Sequence, residues 1–300
     1  MSIATRQDEP HSIDLMAAQR QLYSEAKRCW ALRLLGSIGI AAAAPIIVLA
    51  WDTAGPWLGA VAGMWLIAAR FVFRPREQTS NDRAAMVQEE FDTYVLAIPW
   101  NPACGDHLQP QQRAAATRRH FSRHESERRA ALQRWYPDTG ALRRPYDTLV
   151  CQQSNLSWTS QLHTEWTVVL TGFAVLLVLL GAVLALQMGL SFGQWLLALF
   201  APTLPAIVDV ADEWELHRRR AELQGAADRD ARARWTSAIE GTAEVSVQDC
   251  RNIQDSILRL RREPVLVPER FYSMRKRAFE TDMQSAAQEF VDAGQHAGLV

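Results

Sequence analysis

The stretch IVDVADEWELHRRR (residues 207–220) places four carboxylates, Asp209, Asp212, Glu213 and Glu215, directly after a long apolar run and ahead of any arginine. Acids at the end of a hydrophobic segment can attract cations, where base is the usual companion at the inner face of a membrane. On a helix continuing out of the apolar run, Asp209, Asp212 and Glu213 fall within about a third of the circumference, while Glu215 points elsewhere. Copied around a symmetric ring of subunits, that face makes stacked acidic girdles, which draw in cations and repel anions. The alternative is that the acids sit among lipid headgroups and pair with Arg218, Arg219 or arginines of the middle region. A carboxylate as deep as Asp209 is costly unless it faces water or a partner.

Other reactive groupings are sparse. The chain has no Walker loop, G-x-S-x-G, dinucleotide fingerprint or H-E-x-x-H, so no catalytic residues are assigned, no cofactor is implied and no enzyme class is indicated. The fragment CGDH (residues 104–107) and the pair His120 and His124 each offer two metal ligands, which is too few for a site. Cys29, Cys104, Cys151 and Cys250 match no zinc spacing and read as buried free thiols in a reducing compartment.

The elements that must position these groups follow from hydropathy. The 300 residues are 48% hydrophobic and 22% charged with a net charge of −1, an average that hides strong segregation. Leu34 to Trp51, Thr53 to Ala69 and Thr167 to Val208 contain almost no ionisable side chains, apart from Asp52 between the first two. About 20 such residues are enough for a helix to cross a bilayer. The third run is long enough to cross twice, reversing in QMGLSFG (residues 187–193), so Trp166 to Leu186 and Leu190 to Val208 are separate spans. Asp52, Thr53, Ala54, Gly55 and Pro56 link the first hairpin, and Trp51, Trp57, Trp166 and Trp195 lie near span ends, where indoles favour the interface. The expected fold is an all-α integral membrane protein with four transmembrane helices arranged as two hairpins.

None of the 32 Lys and Arg falls in either hairpin link. The positive-inside rule therefore puts both termini and the middle region in the cytoplasm, and no removable signal peptide is recognisable. The organisation is an N-terminal cytoplasmic helix (1–30), a first hairpin (31–73), a middle cytoplasmic region (74–165), a second hairpin (166–210) and a C-terminal cytoplasmic region (211–300), with the soluble parts helical. Leu15, Ala18, Leu22, Ala26 and Cys29 recur at helix spacing and lead into the first span. Asn81 is expected to cap a helix through MVQEEFDTYVLAI (residues 86–98), ended by Pro99. Residues 101–110 form a loop. Gln111 to Trp135 reads as one Arg-rich helix, with Glu125 and Glu127 interrupting its positive charge. A proline-bounded turn follows, then a helix feeding the third span. DCRNIQDSILRLRRE (residues 249–263) is amphipathic, PVLVPERFY (residues 264–272) starts extended, and a last helix runs from about Glu269 to Val291.

The order AAQRQLYSEAK (17–27), QEEFDTYVLAIPWN (88–101), WYP (135–137), CQQSNLSW (151–158), CRNIQDSILRLR (250–261) and VPERFY (267–272), threaded around two hairpins, resembles the SMODS-associated four-transmembrane (S-4TM) family of pore-forming effectors. Arg270 departs from the pattern, standing where an aromatic residue is expected before Phe271 and Tyr272. The resemblance implies a bacterial antiphage effector of the inner membrane, triggered by a cyclic di- or oligonucleotide made after infection. Its partners would be the lipid bilayer, that messenger and further copies of itself, with no DNA or RNA polymer. Four helices enclose no wide conduit, so permeation would need a homo-oligomer. Small residues in GSIGIAAAA (36–44) and GAVAG (59–63) permit close helix packing.

A messenger site needs guanidinium groups for phosphates and flat side chains for bases. The candidates are Arg143, Arg144 and Tyr146 before the third span, and Arg251, Gln254, Arg270 and Tyr272 in the C-terminal region. Each has a plain alternative: Arg143 and Arg144 are solvated in a turn, Arg251 and Gln254 tie helices together, and Tyr272 belongs to a core. A non-conducting membrane signalling or adaptor protein is the rival reading of the whole chain.

Overall fold

The helical spacing of Leu15, Ala18, Leu22 and Ala26 becomes one buried stripe in the computed structural model of the chain, which describes every residue except 52–54, 188, 190 and 196–200. The link expected for the first hairpin therefore lies largely outside the described residues, as does part of the second. The described chain is helical without strands. A short α1 (Ile3–Gln7), capped by the Ser2 hydroxyl, leads into α2 (Pro10–Ala50), which has proline in its first turn, where no backbone donor is needed. Its first half is packed, whereas Leu32, Leu35 and Ile46 farther along are exposed.

The return segment is equally continuous. α3 (Gly55–Ala68) passes through a π-helical turn at Ala69–Phe73 into α4 (Arg74–Leu96). Gly36 of α2 meets α3 closely: a Cβ there would lie 1.9 Å from the Trp65 ring, so only glycine admits the indole. Beyond Arg74, α4 buries Ala84, Val87, Phe91 and Val95 against α2. Ala97, with φ of +49°, ends the helix two residues ahead of Pro99.

Two expectations are corrected here. Asn81 lies inside α4 and does not start it, because the helix runs unbroken from the apolar segment; its amide instead donates to the Arg261 and Arg262 carbonyls at 2.9 and 3.1 Å. It caps the end of another helix. Gln111 to Trp135 is not one helix either: α5 (Pro110–His120) and α6 (Glu125–Ala130) are separated by a turn with His124 at φ of +52°. The turn lets Phe121 bury its ring, over which the Arg129 guanidinium stacks at 4.2 Å.

α7 (Tyr146–Gln187) begins inside the packed body with Leu149, Val150, Cys151, Gln152 and Leu156 buried, then leaves it. Its stretch Tyr146–Val183 is long and apolar enough to cross a membrane, alone in this among the described residues, and only 6% of its apolar window is covered by protein. After α8 (Phe192–Trp195), α9 (Ala201–Ile239) packs along α7 and carries Ala231 and Trp235 into the core. α10 (Val247–Arg262) opens with a reciprocal cap between Ser246 and Asp249. It buries Ile253, Ile257 and Leu258, as its amphipathic pattern requires. α11 (Glu269–His296) closes the body, packing on α7.

Candidate functional site

The four helices α2, α4, α7 and α9 meet where the covered part of the molecule gives way to the bare apolar part, and polar side chains are concentrated at that level. Arg33, one position ahead of the first apolar run, donates from Nε to Glu77 Oε2 at 3.2 Å and from Nη2 to Glu213 Oε1 at 3.1 Å. Trp30 Nε1 donates to the same Glu213 oxygen at 3.2 Å. One guanidinium thus bridges two nearly buried carboxylates, tying α2 to α4 and to α9. Burial pushes the Glu77 and Glu213 carboxyls above their ordinary range, against the pull of Arg33.

Behind Glu213 sits a buried histidine pair, with His163 Nδ1 and His217 Nδ1 2.7 Å apart. Burial lowers His163 well below its usual value and His217 to about 3. Both rings are therefore neutral near pH 7, one nitrogen donating and the other accepting. The Glu213 carboxylate lies 3.9 Å from His217 Nε2, so protonation of this ring would be answered by the same acid that holds Arg33. Trp166 lies edge-on to His217 and against Phe271, linking the α11 start to this level.

The three acids expected to share one face occupy different surroundings. Glu213 is buried inside the subunit on Arg33 and Trp30, Asp209 is half-buried, and Asp212 is exposed. Glu215 is exposed and paired with Arg218 at 2.9 Å. The partner of Glu213 is thus neither Arg218, Arg219 nor an arginine of the middle region. Arg33, Glu77, His163 and His217 escaped the sequence reading. The available signal was that Arg33 immediately precedes the first apolar run and Glu213 closely follows the last.

The ligand candidates are distributed over three places. Arg251 and Gln254 belong to a buried network: Arg251 contacts Glu89 at 2.6 Å, Asp255 at 2.8 Å and the Pro99 carbonyl at 2.9 Å. Gln254 donates to Glu89 at 2.8 Å and to Asp92 at 2.9 Å, and accepts from Gln152 at 3.1 Å. Asp92 also takes Tyr136 at 2.6 Å and Arg261 at 2.5 Å. Burial raises Glu89, whose charge is balanced by Arg251. Arg143 and Arg144 are exposed at the α7 start, Arg143 over the buried Tyr146 ring at 5.8 Å and Arg144 3.6 Å from Asp147. Arg270 is exposed on α11, while Tyr272 packs against Trp158 with the Lys27 ammonium 5.5 Å from its ring.

An open cleft of about 830 Å³ lies between the first half of α4 and the second half of α10, with Asn101, Ala103 and Cys104 also lining it. Gln78, Thr79, Asp82 and Arg83 line one wall, and Asp255, Leu258, Arg259, Arg262 and Glu263 the other. Among the described residues, no group of three His, Cys, Asp or Glu side chains could hold a metal ion, and all four cysteines are free thiols. His107 of the CGDH fragment stacks on Trp100 at 3.9 Å, and Cys104 lies 4.0 Å from Asp255.

Comparison with known proteins adds an independent line. The family model described as the SMODS-associating 4TM effector domain matches residues 1–290. A protein of Bacillus cereus (strain VD146), described as a probable CBASS effector molecule, is 22% identical over 289 residues, covering 93% of this chain and 94% of that protein. No solved structure matches.

Proposed function

This chain belongs to the SMODS-associating 4TM effector family, and on that premise we propose that it is the membrane effector of a cyclic-oligonucleotide-based bacterial antiphage system (CBASS). A nucleotide second messenger made on infection binds its cytoplasmic body, the subunits assemble, and the inner membrane is permeabilised or depolarised, so that the cell dies or arrests before phage spread. The relative described as a CBASS effector, alike over nearly its whole length, supports this role.

The observation that carries the reading is the form of α7. A single helix starts among buried polar and apolar side chains and continues, with no break, into an apolar rod that protein leaves bare. Bare apolar surface on that scale needs lipid or other subunits to cover it. In the proposed topology the four spans form hairpins over residues 31–73 and 166–210. The segments 1–30, 74–165 and 211–300 together make the cytoplasmic body, which holds both termini. Asp209 and Asp212 line the mouth of the assembled pore, and Glu213 stays with Arg33 until the joint opens. Messenger binding acts only through its difference in affinity between closed and open arrangements.

The test is membrane potential, followed with a voltage-sensitive dye in bacteria that express this chain beside an active or an inactivated partner nucleotidyltransferase. Depolarisation with the active partner alone is expected. A steady potential in both strains, with insertion and messenger production verified, would leave the non-conducting signalling protein as the better reading.

A further inference from the structure

We infer that the cleft between α4 and α10 is the messenger site and that it takes a ligand with two phosphodiester groups, held by Arg83 and Arg259; this rests on the effector reading above. The charge pattern of the lining is the first argument. Three acids and three arginines face the cleft, but they are not equally engaged. Asp82 is bound to Arg262 at 2.5 Å, Asp255 to Arg251 at 2.8 Å and to Asn101 at 3.0 Å, and Glu263 to Arg220 at 3.5 Å. Arg83 and Arg259 are exposed with no side-chain partner among the described residues. The acids are therefore neutralised from within the fold, and two guanidinium forks are left for an anion.

The rest of the wall fits a nucleotide in the same way. Thr79 and Arg83 are one helical turn apart on α4, and Asp255, Leu258, Arg259 and Arg262 follow i, i+3, i+4 and i+7 on α10, so each set lies along one stripe facing the cleft. Gln78 and Thr79 are exposed, with side chains unpartnered among the described residues and able to read the edges of bases, while Leu258 supplies an apolar floor. A volume of about 830 Å³ lies within the range of small-ligand sites. The other candidate positions lack this combination: Arg251 and Gln254 are buried and fully engaged, and Arg143, Arg144 and Arg270 lie outside the cleft.

Position is the second argument, because the cleft touches the levers of the junction. Gln78 is the residue after Glu77, which holds Arg33. Asn81 of α4 caps the end of α10. On the other wall, the Glu263 carbonyl accepts from Arg220 of α9 at 3.0 Å. A ligand that draws α4 and α10 together acts on α3 through the continuous helix, on α2 through Glu77 and Arg33, and on α9 through Arg220. Regulation and site are thus one arrangement: the messenger is read across the seam that sets the angle of the apolar helices.

The experiment is equilibrium binding to the full chain in phosphatidylcholine nanodiscs, using a panel of cyclic purine, pyrimidine and mixed dinucleotides and cyclic trinucleotides. Arg83→Ala and Arg259→Ala should each weaken the preferred ligand about 10-fold or more, the scale of losing a charge-assisted hydrogen bond. Arg143→Ala and Arg270→Ala should leave it unchanged. Gln78→Ala should alter preference among bases more than overall affinity. Binding by the native chain that survives both Arg83→Ala and Arg259→Ala overturns the cleft while leaving the messenger-gated effector intact. Failure of the native chain to bind any member of the panel overturns both. Loss of binding when phosphatidylglycerol replaces phosphatidylcholine would assign the two arginines to a lipid headgroup and overturn the nucleotide site.

Discussion

The buried network around Asp92 and the joint around Arg33 are both made of carboxylates and guanidiniums out of water, yet they are built to opposite effect. Around Asp92 each carboxylate has several partners: Glu89 takes Arg251 and Gln254, and Asp92 takes Gln254, Tyr136 and Arg261, although Arg261 Nη2 and Gln152 Oε1 are buried without a hydrogen-bond partner. At the joint, one guanidinium serves two carboxylates, and the histidine behind them is only in loose contact at 3.9 Å. A densely cross-linked polar network specifies one arrangement and resists change. A sparse one, dependent on a single side chain, can be exchanged for another at lower cost. The comparison points to the packed helical body as the better-braced part and to the level where its helices enter the apolar segments as the place where a rearrangement costs least.

The sharpest way to break this contrast is to delete the central cation of each region. Arg251→Ala leaves Glu89 buried without its guanidinium, and removal of one partner from a buried pair costs about 3–5 kcal/mol. Thermal unfolding or urea titration of the solubilised chain should show a loss of that size, with increased proteolysis of the packed helical body. Arg33→Ala should cost less, about 1–3 kcal/mol, since Glu77 and Glu213 can take protons or water at the joint. Its main effect should be functional: depolarisation without messenger, read by the same dye. If Arg33→Ala is as destabilising as Arg251→Ala and leaves the resting potential unchanged, the joint is ordinary packing and the contrast fails.

The sequence segments that carried the family resemblance meet in the better-braced region. Gln88, Glu89 and Asp92 come from one, Tyr136 from the next, Gln152 from a third, and Arg251, Gln254 and Arg261 from a fourth. Helix identity and the buried stripe of α2 were legible because they depend on near neighbours at a fixed period. The meeting of these polar groups was not, because pairs such as Arg261 and Asp92 are 169 residues apart and no local pattern specifies them. A separation of 180 residues likewise hid the pairing of Arg33 with Glu213. The break between α5 and α6 was missed for another reason: Phe121 looked like one apolar residue on a charged helix, and only tertiary burial repays bending the chain to bury it. The cleft was missed because Arg83 and Arg259 stand out only once the neighbouring acids are seen to be occupied.

Acidity should separate the two regions more gently. His217 has a folded pKa near 3 against an ordinary value of 6.5, and His163 is lowered too. The unfolded chain therefore binds more protons than the folded one between those limits, so stability is full above about pH 6.5 and falls as pH drops through the window. Each histidine contributes a slope of up to about 1.4 kcal/mol per pH unit. Glu77 and Glu213, raised by burial, act in the opposite direction, since protonation relieves their buried charge as pH falls. Unfolding measured between pH 7 and pH 5 should show a net loss that flattens in His217→Gln. An unchanged slope in that variant would mean that water reaches the pair and that the joint is already open.

The smallest effect on stability is expected at Asp212 and Asp209, and it gives the most direct test of the proposed pore. Asp212 is exposed and Asp209 half-buried, while Glu213 is already committed to Arg33 inside the subunit. Asp212→Asn should therefore change stability by less than about 0.5 kcal/mol. If these two positions line the mouth of an assembled pore, each neutralisation is repeated in every subunit, so cation preference should weaken visibly in planar-bilayer reversal potentials. Glu213→Gln should behave differently, loosening the hold of Arg33 and raising basal leak rather than altering selectivity. Equal selectivity shifts in all three variants would place Glu213 in the conduit with its neighbours, and the joint would then be part of the pore instead of the hinge beside it.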